Sequence, residues 1–340
     1  MGDEHWLSER FEEHRPRLRA VAYRVLGSLS EADDAVQEAW LRSIRADTSQ
    51  VENLGAWLAT IVGWVSLNML RARRARPEEP IGFHLPDLVM DSAEGVSPEH
   101  ETLLADAVGV ALMIVLETLS PPERLAYVLH DMFGIPFTEI APVVQRSSES
   151  TRQLASRARR RIRRLAPLDD GDLAGQRVAV AAFLAASRDG DFDALIAVLD
   201  PEVVLRAELG ADRADAAIEV RGARTVAGSA QAYLRLGLLG IPVLVNGTPG
   251  VFYRQAGQPF SVLSFTVSNG LITSIDILAD QDRLGQLVSR VGNSPTKSGD
   301  PDVVWQGAGG SSYRGTRNDG NAARRHLGAG ISRRIFGAGH

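Results

Sequence analysis

The sequence predicts a multidomain chain: two all-α helical domains, the second closing in a helix-turn-helix, followed by an α+β domain. Three observations lead there. Apolar residues recur at helical spacing over residues 6–76 and again over 99–165. Between these runs lie residues 77–98, rich in proline and acid and without lysine or arginine, the composition of an extended acidic linker. Beyond about residue 175 the period shifts toward strand-like runs. The 340 residues, 44% hydrophobic and 23% charged, suffice for two or three domains with ordinary cores. Cysteine is absent, which excludes disulfides, thiolate metal sites and cysteine nucleophiles and fits a reducing compartment. No apolar run approaches the ~20 residues that cross a bilayer, and the acidic N-terminus lacks the core of a signal peptide. A cytoplasmic protein is expected.

The first domain is placed at 1–76. Leu18, Val21, Ala22 and Val25 fall at i, i+3, i+4 and i+7, one buried helix face. A second helix opens at Ser30, read as its N-cap with Asp33 in the first turn, and turns Ala35, Val36, Ala39, Trp40 and Ile44 inward. After a polar loop at 46–55, "AWLATIVGWVSLNMLRARRAR" runs as a third helix into Arg71, Arg73, Arg74 and Arg76. Beyond the 77–98 linker, helical pattern covers 99–119, and "SPPE" then offers Ser120 as cap and Glu123 to complete a capping box. That helix buries Leu125, Val128, Leu129 and Met132 and stops at Gly134. A short helix capped by Thr138, in which Pro142 removes only the first bond, a turn at 145–147 and a long helix to about Leu165 complete a helix-turn-helix domain at 99–167. In the third domain, 175–288, a helix at 176–188 precedes strands at 203–208, 216–221, 243–245, 250–254, 260–267 and 271–277. "SNG" joins the last two as a hairpin turn. Residues 292–340, without apolar period, are expected to be disordered.

The stretch "SSESTRQLASRARRRIRR" carries seven arginines and one glutamate in a chain of net charge -5. Lys297 is the only lysine, a bias that genomic composition explains as readily as chemistry, so placement matters more than number. Leu154, Ala158, Ile162 and Leu165 share a face that can pack inward. An ordinary solvated helix face mixes glutamate with arginine at i,i+4, whereas this one repels itself unless an anion neutralises it. Phosphates do so. The N-terminal residues of a recognition helix reach base edges, here Ser148, Glu149, Ser150, Thr151, Arg152, Gln153 and Ser156, while Arg157 and Arg160 suit phosphates.

"DDAVQEAWLR" followed by "AWLATIVGWVSLNMLRARRAR" resembles region 2 of the extracytoplasmic-function (ECF) sigma factors of bacterial RNA polymerase, and residues 119–164 resemble their region 4. "DGDFDALIAVLDPEVVLRAE", "LVNGTPGVF" and "FTVSNGLITSIDILADQDRL" resemble the SnoaL-like domain, an NTF2-like α+β cone, that ends the SigJ-type subgroup. The resemblance implies a DNA-binding subunit that docks on core RNA polymerase (β′ coiled coil and β flap) and recognises promoter DNA. Asp33, Asp34, Gln37, Glu38 and Trp40, with Arg42, would form the polymerase-docking surface. Trp64, Asn68, Arg71, Arg73 and Arg74 would meet the downstream promoter element, with the 46–55 loop capturing a flipped base. The cone domain would dock on the sigma regions and tune them, with Asp280, Asp282 and Arg283 of "ADQDRL" in the contact and room for a small ligand in its pocket. "FHLPDL" (83–88) stands where the subgroup carries a linker signature. No cofactor, metal or membrane is implied.

An enzyme is the alternative reading, a SnoaL-like isomerase or cyclase with a vestigial DNA-binding half. Residues 175–291 contain no histidine; Asp212, Asp215 and Asp276 are available as bases and Tyr233 and Tyr253 as donors, but no spacing assembles them. No catalytic residue is assigned. A helix-turn-helix repressor acting without polymerase is a third reading, and the acidic docking helix speaks against it.

Overall fold

The computed structural model describes residues 2–48, 51–75, 84–93, 95–96, 98–104, 109–165, 172–210, 217–234, 236 and 238–290. Part of the 46–55 loop, Arg76, the first half of the linker, Asp212, Asp215 and the 292–340 tail lie outside the described residues. The chain forms two compact units, Met1–Ile81 with Ser97–Leu168, and Gly82–Val96 with Asp169–His340. No described helix is long and apolar enough to cross a membrane.

The first unit is helical: α1 (Gly2–Leu26), α2 (Leu29–Ser43), α3 (Leu54–Arg74), α4 (Pro98–Leu104), α5 (Val110–Glu117), α6 (Pro121–Tyr127), α7 (Phe137–Val144) and α8 (Ser148–Leu165). Leu18, Val21, Ala22 and Val25 are buried where α1 meets α2 and α3. The cap of α2 is Ser28 rather than Ser30. Gly27, at φ 79, ends α1 and leaves Ser28 extended, so the Ser28 hydroxyl accepts the Glu31 N–H. Ile44 was expected inward but is exposed, because α2 ends at Ser43 and the chain turns away.

The pattern over 99–119 is described as two helices, α4 and α5, with 105–108 outside the described residues. At the start of α6 the Ser120 N–H and hydroxyl both donate to the Glu123 carboxylate. A π-helical turn, Val128–Met132, extends α6; it buries Val128 and Leu129 but leaves Met132 half-buried, and Gly134 at φ 70 ends it. The cap of α7 is Pro136, not Thr138. Pro142 therefore lies in the second turn and deprives the Thr138 carbonyl of its i+4 donor, which is tolerable because Thr138 is exposed to water. Gln145, left-handed at φ 57, closes α7. On α8, Leu154, Ala155, Ala158 and Ile162 are buried, while Leu165, the last residue of the helix, is exposed. Gly63 of α3 lets α6 approach closely: a Cβ there would sit 3.0 Å from Leu129 and 3.1 Å from Leu125.

The second unit is a seven-stranded sheet of order β1-β4-β5-β6-β7-β2-β3. Its strands are β1 (Met90–Ser92), β2 (Leu199–Glu208), β3 (Ala217–Arg221), β4 (Leu239–Val245), β5 (Thr248–Gln255), β6 (Gln258–Ser268) and β7 (Leu271–Leu278). Every neighbouring pair is antiparallel except β2 with β7. α9 (Leu173–Asp189), α10 (Phe192–Val198) and α11 (Ala223–Leu234) join one face of this sheet in a core containing Val180, Phe183, Leu205, Tyr253, Phe265 and Ile275. α12 (Gln281–Arg290) follows β7. Asn269 (φ 52) and Gly270 (φ 75) make the β6–β7 turn, both left-handed as the twist of a tight hairpin requires. Four elements of this unit were not foreseen: the helices α10, α11 and α12, and the strand β1. β1 is a piece of the acidic linker that pairs antiparallel with β4, Met90 opposite Val245.

Candidate nucleic-acid interface

Ser147 fixes the start of α8, its hydroxyl accepting the Ser150 N–H and donating to the Ser150 hydroxyl. Residues 151, 154, 155, 158 and 162 then form the buried face. Thr151 belongs to it and not to the reading edge: it is fully buried, and its hydroxyl donates to the Ser147 carbonyl. Glu149, Arg152 and Gln153 are exposed, and Ser148, Ser150 and Ser156 half-buried beside them. Arg152 pairs with Glu149 at 2.8 Å and lies 5.6 Å from the Phe137 ring centre. Phe137 in turn stacks on His130 at 3.7 Å, so the platform under Arg152 spans the helix-turn-helix.

The arginines further along divide into two sets. Arg157 reaches Glu123 at 2.8 Å and Arg159 reaches Asp131 at 2.7 Å, tying α8 to α6 and its π-helical turn. Burial works against the Glu123 carboxylate, but hydrogen bonds from Arg157 and Ser120 outweigh it and hold the pKa below the usual value. Arg160, Arg161, Arg163 and Arg164 are in or near solvent and form no ion pair with another described residue. Arg157 is thus an anchor of the fold before it is a phosphate ligand.

On α3, Trp57, Trp64, Asn68 and Arg71 follow one stripe at i, i+7, i+11 and i+14. The first three are half-buried and Arg71 is exposed. Arg73 and Arg74 leave that stripe, contrary to expectation, and are used inside the unit. Arg73 donates to the Leu26 carbonyl at 3.0 Å and to Glu31 at 3.1 Å; Arg74 donates to the Leu119 carbonyl at 2.8 Å. Both carbonyls lie at or just past helix ends, where the helix supplies no donor.

The residues expected to dock on polymerase are also partly occupied. Asp33 takes two bonds from Arg19, at 2.6 and 3.2 Å, and Trp40 packs on Phe11 with ring centres 5.0 Å apart. Glu38 pairs with Arg42 at 2.8 Å, and the Arg42 guanidinium lies 4.3 Å above the Trp64 ring. Asp34 and Gln37 face solvent.

In the second unit, Arg283 holds a polar cluster together. Its Nη1 donates to both Glu208 oxygens, at 2.8 and 2.7 Å, and its Nη2 to the Pro86 carbonyl at 3.0 Å and Asp87 at 3.3 Å. Glu208 also accepts the Leu85 N–H at 2.7 Å and lies 3.1 Å from the His84 ring nitrogen. Burial works to raise the Glu208 pKa, yet His84, Arg283 and the Leu85 N–H together hold it below the usual value. Asn246 exchanges two bonds with Val89, both 2.8 Å, and leads the linker into β1. Asp280 caps α12 through the Arg283 N–H at 2.9 Å, whereas Asp282 is exposed in its first turn. Glu208, the centre of the cluster, was not singled out from sequence; a glutamate ending a strand-like run carries no local sign of partners more than seventy residues away.

Among the described groups weighed for catalysis, Tyr233 and Tyr253 pack edge to face with ring centres 5.6 Å apart, and Asp276 does not join them. Tyr233 hydrogen-bonds to the Ser261 hydroxyl, and burial pushes Tyr253 up to about 12; both lie in the helix-covered core. Asp276 alternates with core residues Ile275 and Ile277 and so points to the other face. There it lies 3.1 Å from Arg206, with burial pushing its pKa up to about 6.

Comparison with known proteins gives a consistent result. The Sigma-70 region 2 family matches residues 10–76 and the Sigma-70 region 4 family residues 110–162. The chain is 35% identical over 288 residues to the ECF RNA polymerase sigma factor SigJ of Mycobacterium tuberculosis, covering 80% of this chain and 91% of that protein. It is 33% identical over 293 residues to a probable ECF sigma factor, SigI, of the same organism, covering 84% and 97%. A crystal structure of M. tuberculosis SigJ superposes with a TM-score of 0.64 at 29% identity, covering 82% of this chain and 98% of that one.

Proposed function

The chain belongs to the ECF sigma factors, which bind core RNA polymerase and recognise promoter DNA, and from that premise we propose how its parts divide the work. The exposed edge of α8, with Ser148, Glu149, Ser150, Arg152, Gln153 and Ser156, reads the upstream promoter element, and Arg160, Arg161, Arg163 and Arg164 neutralise flanking phosphates. The observation that carries this is the division of α8 into a buried apolar face and an arginine face of one sign. Trp64, Asn68 and Arg71 meet the downstream element. Asp34, Gln37 and Glu38 dock on the β′ coiled coil, region 4 meets the β flap, and the protein acts in the cytoplasm beside polymerase.

The second unit tunes this activity by holding the linker. The support is the Arg283–Glu208 cluster, which binds residues 84–87 through two backbone groups and two side chains. A small ligand in the cone would act through the same clasp. We read no bond-changing step in the chain, and the enzyme alternative is not favoured, since Asp276 lies on the opposite sheet face from Tyr233 and Tyr253. Run-off transcription with core polymerase tests the whole reading. Promoter-dependent transcripts are expected with the protein and not without it, and Arg283→Ala is expected to change their yield at unchanged core affinity. Absence of transcripts across a genomic promoter library would overturn the assignment; unchanged yield with Arg283→Ala would overturn the clasp.

A further inference from the structure

Arg42 sits on the helix that faces polymerase by resemblance, yet its guanidinium is spent elsewhere. It lies 4.3 Å above the Trp64 ring, on the stripe of α3 that continues through Asn68 to Arg71. Glu38, one turn earlier on α2, holds it there at 2.8 Å. α3 carries no acidic residue along its whole length, so Glu38 is the anion that balances Arg42 at this place. The Arg42 and Glu38 side chains are both close to half exposed, at 46% and 45%, so the stack is open to a ligand from solvent. A flat aromatic surface beside a cation, on a helix face without acids, suits one chemistry: a planar base attached to a phosphate. Stacking on an indole tolerates any base, and a guanidinium takes a phosphate through two parallel hydrogen bonds.

We propose that Arg42 and Trp64 form a clamp for one unstacked nucleotide of the opened downstream element. The indole takes the base. The guanidinium leaves the ring and Glu38, and pairs with the phosphate of the same nucleotide. Arg42 is then a DNA-binding residue on α2, and Glu38 keeps it over the ring until DNA arrives. The inference rests on the reading that Trp64 faces the downstream element.

The test uses holoenzyme assembled from core polymerase and the full chain, with two DNA probes carrying 2-aminopurine in the downstream element: a forked template with that element unpaired, and the closed duplex. Arg42→Ala is expected to weaken fork binding on the order of tenfold, the scale of a lost charge-assisted phosphate contact, and to lower the salt slope by about 1. Its affinity for closed duplex should stay within about twofold, and both probes are titrated into holoenzyme preassembled at saturating core, since Arg42 pairs with Glu38 on the docking helix. Arg42→Lys, which keeps the charge, should recover part of the fork affinity, and Trp64→Ala should change the 2-aminopurine emission of the fork complex. Combining Arg42→Ala with Trp64→Ala should cost less than the product of the single losses. Equal loss on fork and duplex, or a loss of core affinity with fork binding intact, would overturn the clamp. Should Trp64→Ala weaken fork binding while Arg42→Ala does not, the clamp alone fails; should neither matter, the reading of Trp64 fails with it.

Discussion

Arg152 on α8 is exposed, held from one side by Glu149 and backed by the Phe137 ring. Such a pre-oriented fork suits a guanine edge, and a good bidentate contact discriminates by ~1–3 kcal/mol. Arg152→Ala should therefore lose about that much on the cognate upstream element and far less on DNA mutated at the contacted base, measured by fluorescence anisotropy. Arg161→Ala should instead weaken binding to every sequence and reduce the salt slope by about 1. The sign of the patch was legible because charge needs no partner to be read. Its division was not, since Arg157 and Arg159 find their carboxylates 34 and 28 residues away.

Most helices and strands were legible from their period, but α10, α11 and α12 were missed, and so was β1, which a partner defines. Three residues cannot declare a strand; β1 exists because the edge of β4 and the Asn246 amide receive it. Caps turn on the same kind of detail. Ser28 and Ser30 look alike in sequence, but Gly27 decides between them, so Ser28→Ala should cost about 1 kcal/mol in chemical denaturation and Ser30→Ala much less. Gly250 illustrates packing in the sheet. A Cβ there would lie 2.5 Å from Val245 Cγ2 and 2.6 Å from the Leu263 carbonyl oxygen, so Gly250→Ala is expected to destabilise the second unit by ~1–3 kcal/mol and lower its melting temperature.

At the scale of the whole molecule, two buried carboxylates of the second unit give opposite pH dependences. Glu208 is held below the ordinary value of 4.5, so the folded state binds fewer protons than the unfolded chain. Its contribution is present above that value and is lost as pH falls through the folded pKa. Asp276 is raised from 3.8 to about 6, so stability falls as pH rises between those values, by an amount on the order of 3 kcal/mol. Denaturation profiles should show Asp276→Asn flattening the fall between pH 4 and 6, and Glu208→Gln flattening the loss at lower pH. Deleting everything after Ala174 removes the partner of linker residues 84–92 and should change promoter output in vitro. By itself the sequence determined the order of helical and α+β parts, the sign of α8 and its apolar face, because periodicity and charge are local properties of a chain. Only the tertiary structure decided which charges are spent inside the fold. Arg73 and Arg74 bond to carbonyls at helix ends, Thr151 turns into a buried face, Arg42 lies on Trp64, and Arg283 finds Glu208, each through a contact whose partner is remote in sequence or whose direction depends on how the helix is packed.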